Sequence, residues 1–328
     1  MTSNIIYSIL FACAAALPLQ AAKPVVIAHR GASGYVVEHT LPAKAVAHAM
    51  GADFLEQDVA LSKDGVLVVS HDITLDDGSD VAVRFPDRKR ENGRFYIADF
   101  TLAELRQLRL HERTKNGRQV FAGRFPGGDG LFQINTFEEE LEFIQGLNKS
   151  TGRDAGVYVE IKSPKWHREQ GMDVAAAAIK VLKKFGYSKK TDNCWIQCFE
   201  WDEVRRIRSE LGWEGRLLLL TSKNKRYTKL LDENDLPEVA RVADGIGPEL
   251  NQIVAGSTVG GGKDTGLTAR AHALGLAVHP YTIRKDELPV WAGSVDEVHA
   301  KLFGEAKIDG CFTDFPDLTV QWVNRHAR

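Results

Sequence analysis

The segment Phe54-Leu55-Glu56-Gln57-Asp58-Val59 sets two carboxylates two residues apart in an otherwise apolar run. In a β-strand successive side chains alternate between faces, so Glu56 and Asp58 share one face. Two acids together inside a sheet are costly unless a cation joins them. A hard divalent cation takes oxygen ligands and would resolve that cost. Gln57, on the opposite face, is a smaller polar intrusion. Asp64-Gly65 then stands between apolar runs, which is a two-residue hairpin signal. With those residues as the loop, Asp58 lies opposite His71, and paired Cβ atoms are about 5 Å apart. A slip of one residue in this register would turn His71 away. A second strand candidate, Val157-Tyr158-Val159-Glu160-Ile161-Lys162, carries Glu160 and Lys162 on one face at its C-terminal end. A third, starting at Val25, ends in His29-Arg30-Gly31, with Glu38-His39-Thr40 following. The planar fork of an arginine suits a phosphate, and Gly31 permits a sharp turn or a close backbone approach. Each feature alone has an ordinary structural explanation, such as an ion pair at a strand end. Together they point to a site.

The elements that must position these residues are legible as alternating patterns. Apolar runs at Val25–Arg30, Asp53–Val59, Gly156–Ile161, Cys194–Phe199, Arg216–Leu220, Ala243–Ile246, Leu276–Tyr281 and Asp309–Thr313 read as strands. Most are continuous, as expected for parallel strands buried on both faces. Helical patterns fall between them at Leu41–Met50, Asp173–Phe185, Asp202–Leu211, Leu267–Leu274 and Asp317–Val323, with Gly186, Gly212 and Gly275 as stops. Eight strands alternating with helices predict an α/β fold of the (β/α)₈ TIM-barrel type. An open doubly wound sheet is the alternative, but no glycine fingerprint supports it. Gly245-Ile246-Gly247 is followed by Leu250 where the third glycine belongs, and Gly256 to Lys263 misses the P-loop spacing. Barrel enzymes build their sites at the C-terminal ends of the strands, where His29, Arg30, Glu160 and Lys162 fall. Residues about 76–150 exceed an ordinary βα loop and read as a small insertion subdomain. It holds two capped helix candidates, Thr101–Leu108 and Thr136–Leu147, and the basic run Arg84 to Arg90, read as a solvated face.

Residues 1–22 read as a secretory signal peptide: Ile5 to Leu19 is apolar but too short to span a bilayer, and Ala21 and Ala22 are small. No Lys or Arg precedes the apolar run, a departure from the usual pattern. Residues 23–328 then form the mature barrel. Export implies an oxidising compartment. Cys194 and Cys198, in one strand candidate, would lie about 13 Å apart at about 3.3 Å per residue, too far for a disulfide. They and Cys311 therefore read as buried free thiols. The 328 residues carry 42 Lys+Arg against 44 Asp+Glu, so bulk charge gives no case for a nucleic-acid partner.

The ordered set His29-Arg30-Gly31, Glu38-His39-Thr40, Glu56-Gln57-Asp58, His71-Asp72 and Glu160-Ile161-Lys162 resembles that of the glycerophosphodiester phosphodiesterases. Val278-His279-Pro280-Tyr281-Thr282, Asp309-Gly310 and Thr313-Asp314-Phe315-Pro316 resemble the same family. The resemblance covers Lys23 to about Val323, and the leader and insertion resemble its periplasmic bacterial branch. His39 stands where many members have Asn, and Cys198 where Ser is common. The resemblance implies a TIM barrel that hydrolyses small glycerophosphodiesters to sn-glycerol 3-phosphate and an alcohol in the periplasm. It implies one divalent cation on Glu56, Asp58 and Glu160, usually Ca²⁺ in this branch, with Mg²⁺ as the alternative. His29 and His71 correspond to the general acid/base pair, Arg30 and Lys162 to phosphate contacts, and Glu38 to the inner or second shell. Attack by the glycerol 2-hydroxyl and attack by water both stay open, as does which histidine starts as base. No stable membrane insertion of the mature chain is expected, and a homodimer stays open. Two alternatives are a secreted binding or adhesion protein on a retained barrel and a sphingomyelinase D-type phospholipase.

Overall fold

In the computed structural model, which describes residues 23–125 and 131–326, the eight apolar runs become eight parallel strands. They are β1 (Val25–Ala28), β2 (Phe54–Leu61), β3 (Gly156–Ile161), β4 (Cys194–Cys198), β5 (Arg216–Leu220), β6 (Gly245–Gly247), β7 (Ala277–Val278) and β8 (Gly310–Thr313). Each lies beside its sequence neighbours, and β1 pairs with β8. β7 and β8 complete the ring through the Asp309 amide on the Val278 carbonyl (3.2 Å) and the Phe312 amide on the Pro280 carbonyl (3.0 Å). The expected residues 1–22 leader lies outside the described residues.

The period of two sorts the strand residues into two environments. One parity packs against the surrounding helices: Val26, Leu55, Val157, Val159, Ile196, Leu217 and Leu219 join the main apolar core. The other parity faces inward and changes character along each strand. Ile27, Phe54, Tyr158, Trp195, Leu218 and Phe312 fill the lower barrel, with Tyr158 stacked on Trp195 at 5.7 Å. One or two pleats further on, the same faces carry His29, Glu56, Asp58, Glu160, Gln197 and Asp314. An apolar plug thus seals the barrel beneath a polar mouth. On the outer face, the polar Gln57 is accommodated: its side-chain oxygen accepts from the Tyr158 amide at 3.3 Å. Behind it Lys44 and Glu140, both fully buried, pair at 2.8 Å.

Helix α1 (Leu41–Ala49) follows β1 and is capped by Thr40, whose hydroxyl accepts from the Ala43 amide. It lies so close to the β1 exit that a Cβ on Gly31 would sit 2.8 Å from the Ala43 carbonyl carbon, and Gly31 has φ +86°. Gly31→Ala is therefore expected to destabilise the fold by about 1–3 kcal/mol or more. A denaturant midpoint equal to the parent's would contradict this.

The hairpin after β2 departs from the expected register. The strand Leu67–Val69 pairs as Val59↔Val69, Ala60↔Val68 and Leu61↔Leu67. The loop is therefore three residues, Lys63-Asp64-Gly65, with Gly65 at φ +77°. Asp64 favours this turn by accepting from the Ser62 hydroxyl at 2.6 Å and the Leu102 amide at 3.1 Å. A type I turn closed by a left-handed glycine is the common three-residue solution. Ser70, not His71, consequently stands opposite Asp58, its amide on the Asp58 carbonyl at 2.9 Å.

The span 76–150 divides in two. Its first part wraps the outer face of the hairpin around a second apolar cluster that includes Ala60, Val68, Leu75, Phe95, Phe100, Leu105 and Ile134. Its last part is helix α2 (Phe137–Thr151), begun by a capping box of Thr136 and Glu139. Phe137, Leu141 and Ile144 of α2 join the main core, so this helix belongs to the barrel's outer layer. The basic run is used in local pairs: Arg88 meets Glu104 at 2.6 Å and Arg90 meets Asp99 at 2.7 Å. Cys194, Cys198 and Cys311 are free and buried. Among the described residues, no helix is long and apolar enough to cross a membrane.

Candidate active site

The parallel register sets Asp58 directly beside Glu160, and Glu160 beside Gln197. Glu56, one pleat below Asp58, accepts from the Arg30 amide at 2.6 Å and from Gln197 at 3.3 Å. Lys162 Nζ lies between the neighbouring acids, 2.6 Å from Glu160 and 3.6 Å from Asp58. Arg30 folds back to Glu38 at 2.6 Å. His29, Arg30, Glu56, His71 and Glu160 line one cavity of about 510 Å³ at the barrel mouth, and Phe199, Lys223, Tyr281 and Arg284 line it further out. Asp58 is fully buried at its base. Glu38 lines an adjoining cleft shared with His71. All eight residues singled out from the sequence thus belong to one cluster.

His71 reaches this cluster by a different route from the one expected. It lies beyond the end of the hairpin strand, in the bend His71-Asp72-Ile73, and its Nδ1 is 2.8 Å from Asp72 Oδ1. His29 is anchored in the same way, with Nδ1 2.6 Å from Asp314 Oδ1. Each aspartate is itself held by arginine. Arg113 reaches Asp72 at 2.5 Å, while Arg124 and Arg284 both reach Asp314 Oδ2 at 2.7 Å.

Burial and charge set the protonation states. Burial, then the Arg30 cation, lowers His29 to about 4 despite Asp314. Burial, then Arg30 and Lys162, lowers His71 to about 3. Both imidazoles are therefore held neutral near pH 7, each with Nδ1 on a carboxylate. Burial, against the pull of Lys162 and with the push of Asp58, raises Glu160 to about 8. Burial and then Asp58 likewise hold Glu56 well above the usual carboxylate range. Against its burial, Asp58 is held low by Lys162 and His39. Three acids at one base thus compete for charge, as they would where a cation is to be shared.

Several partners were given no role from the sequence. His39 is buried at φ +61°, with Nε2 2.7 Å from Asp58 Oδ2. His39, Glu56 and Asp58 present ligand atoms all within 4.8 Å of one another. Arg30 and Ser163, at φ +59° and +44°, are also left-handed. Such non-glycine residues cost about 1–3 kcal/mol each and cluster at functional sites. Asp72 and Asp314 stand within the quoted motifs without an assigned role; Asp314 directly follows β8, where the strand-end rule points, whereas Asp72 lies in the bend after the hairpin. Arg113 and Arg124 come from the insertion, and no motif marks them.

Comparison with known proteins gives this cluster a context. The model of the glycerophosphoryl diester phosphodiesterase family matches residues 29–318. A glycerophosphodiester phosphodiesterase of Haemophilus influenzae is 42% identical, over 91% of this chain and 89% of that protein. One from Treponema pallidum is 36% identical over 94% of both. A solved Oleispira antarctica phosphodiesterase, in complex with the product sn-glycerol-3-phosphate, superposes with a TM-score of 0.64 at 21% identity, covering 92% of this chain and 97% of that one. A family match that begins at His29 and runs through the Asp314 anchor embraces every residue of the cluster, and the chain belongs to the glycerophosphoryl diester phosphodiesterase family.

Proposed function

We propose that this protein hydrolyses glycerophosphodiesters to sn-glycerol 3-phosphate and an alcohol, using His29 and His71 as the acid/base pair and one divalent cation. The observation that carries this reading is the pair of carboxylate-anchored imidazoles facing one cavity above three clustered acids. The names of the relatives support the substrate class. Glu56, Asp58 and Glu160 would hold the cation. The donor set fits a hard ion, because it offers carboxylate oxygens and the buried Asp58 Oδ1 has no hydrogen-bond partner. Ca²⁺ is the proposed ion, and Mg²⁺ the alternative. When bound, it would supply positive charge against the phosphodiester and its transition state.

The chain's own groups do the rest. Arg30 and Lys162 bind phosphate oxygens, which orients the diester and draws Arg30 away from Glu38. Glu38 keeps that guanidinium aimed at the mouth. One histidine accepts the nucleophile's proton at Nε2 as the new P–O bond forms. The other takes a proton from solvent at Nε2 once the anionic diester is bound and passes it to the leaving alkoxide as the old P–O bond breaks, and the first histidine then returns its proton to solvent. Export to the periplasm is part of the proposal, and N-terminal sequencing of the fractionated protein tests it.

The direct test is sn-glycerol 3-phosphate release from glycerophosphocholine by the purified protein supplied with Ca²⁺ or Mg²⁺. A folded sample giving no product with either ion would overturn the reading. The ligand choice has its own test. His39→Asn should leave cation affinity nearly unchanged, because Asn tolerates the left-handed backbone and a hard ion prefers oxygen. Glu160→Gln should weaken affinity by about tenfold or more, since it removes a charged ligand. Isothermal titration with Ca²⁺ reads both; the reverse order would make His39, not Glu160, the third ligand.

A further inference from the structure

The insertion reaches the barrel mouth through two arginines, and each ends on the carboxylate that anchors one histidine. Arg113 Nη2 donates to Asp72 Oδ2 at 2.5 Å, and its Nη1 to Glu38 Oε1 at 3.1 Å. The other Asp72 oxygen faces His71 Nδ1 at 2.8 Å. Arg113 Nη1 also stands 3.0 Å from that Nδ1. The nearer anion draws the Nδ1 proton, so the guanidinium serves the carboxylates. Arg124 Nη2 donates to Asp314 Oδ2 at 2.7 Å, and its fork takes Asp286 at 2.9 and 3.0 Å. Asp314 Oδ1 faces His29 Nδ1 at 2.6 Å. The Arg124 and Asp314 side chains are only 5% and 2% exposed. The same chain of guanidinium, carboxylate and imidazole therefore occurs twice; the insertion supplies the guanidinium at Asp72 and one of two at Asp314, the other being Arg284.

The order of groups matters because a neutral imidazole has two tautomers. An ionised aspartate only accepts, so it selects the Nδ1–H form and leaves the Nε2 lone pair free. A buried aspartate without a cation would tend to take up a proton. It could then donate to Nδ1 and leave Nε2 as the protonated, unreactive nitrogen. A guanidinium on the far oxygen opposes this and orients the carboxylate with one directed, charge-assisted N–H: Arg113 Nη2 on Asp72 and Arg124 Nη2 on Asp314.

We propose that Arg113 and Arg124 are positioning residues for the hydrolysis, holding Asp72 and Asp314 ionised and oriented so that His71 and His29 keep Nδ1 on the carboxylate and present Nε2 to the cavity. This inference rests on the reading of His29 and His71 as the acid/base pair. It gives the insertion a role in rate. Asp314 retains Arg284 at 2.7 Å when Arg124 is removed, whereas among the described residues no second arginine is paired with Asp72. The Arg113 variants should therefore be the more severe.

The experiment compares Arg113→Gln, Arg113→Lys and Arg124→Gln with His71→Ala and with Arg90→Gln, whose ion pair to Asp99 lies within the insertion. Steady-state kinetics use glycerophosphocholine at saturating Ca²⁺, and thermal melts confirm folding. Arg113→Gln should lose about 10–100-fold in kcat, the usual scale for a group that orients an active-site ligand. KM should change less than kcat, because the contact to Asp72 acts on proton transfer, while Glu38 keeps its direct pair with Arg30 when its second contact to Arg113 is lost. Arg124→Gln should lose less, Arg113→Lys should recover part of the loss, and Arg90→Gln should match the parent. Parent-like kcat in both Gln variants, with His71→Ala inactive, would overturn the inference alone. So would a rise in KM at unchanged kcat, or an equal loss in Arg90→Gln. Full activity in His71→Ala would remove the acid/base reading and this inference with it.

Discussion

Replacing His29 or His71 by alanine is expected to lower sn-glycerol 3-phosphate release about 10²–10⁴-fold, the range for loss of a positioned acid or base. The fold should survive both changes. Asp314 keeps Arg124 and Arg284 when His29 is truncated, and Asp72 keeps Arg113 when His71 is truncated. Neither substitution leaves a carboxylate without a cation, which is the usual route to severe destabilisation at a buried ion pair. The loss should fall on kcat and kcat/KM together, because the proton moves only in the transition state. Turnover within a few-fold of the parent in either variant, read from a coupled glycerol 3-phosphate assay, would remove that histidine from the mechanism.

Chelation is the second large effect. Stripping divalent ions should reduce activity about 10³-fold, since charge stabilisation by a cation contributes several kcal/mol and each 1.36 kcal/mol is a factor of ten. Activity should return with Ca²⁺. Glu56→Gln should show the same deficit at ordinary cation concentration and recover only at much higher concentration. A second readout does not depend on turnover. An ion bound only by the folded chain at 100 times its Kd adds about 2.7 kcal/mol of stability. The parent should therefore melt higher with Ca²⁺ than after chelation, and Glu56→Gln should lose much of that difference. A parent whose activity and melting temperature both ignore chelation would refute the cation proposal. Below the three acids, the aromatic plug of Phe54, Tyr158, Trp195 and Phe312 should keep the barrel folded after chelation.

The two effects differ in what they owe to sequence. The placement of Glu56 with Asp58, and of Glu160 with Lys162, follows from the steric alternation of an extended chain, which operates within a few residues. The same is true of the eight runs that became strands, of the Thr101 and Thr136 caps, and of the left-handed glycines that end helices, Gly186, Gly212 and Gly275. These are local rules, and one chain suffices to read them. The hairpin shows where a local rule stops. Asp64-Gly65 signals a turn but leaves two- and three-residue loops both open, and the three-residue form carries a contact from the Leu102 amide to Asp64, 38 residues away. One residue of register was enough to change which side chain faces Asp58.

What only the tertiary structure decided lies at long separation. His29 and Asp314 are 285 residues apart and meet because the ring closes β8 against β1. Arg124 reaches the same aspartate across 190 residues, from a loop with no periodicity to read. His39 enters the acid cluster through a left-handed turn, a backbone state that residue type favours only weakly. The sequence by itself therefore determined which faces carry charge and how the strands follow one another. The closed ring and the docked insertion determined which charges meet, because a contact between distant segments depends on the whole chain's packing and not on any window within it.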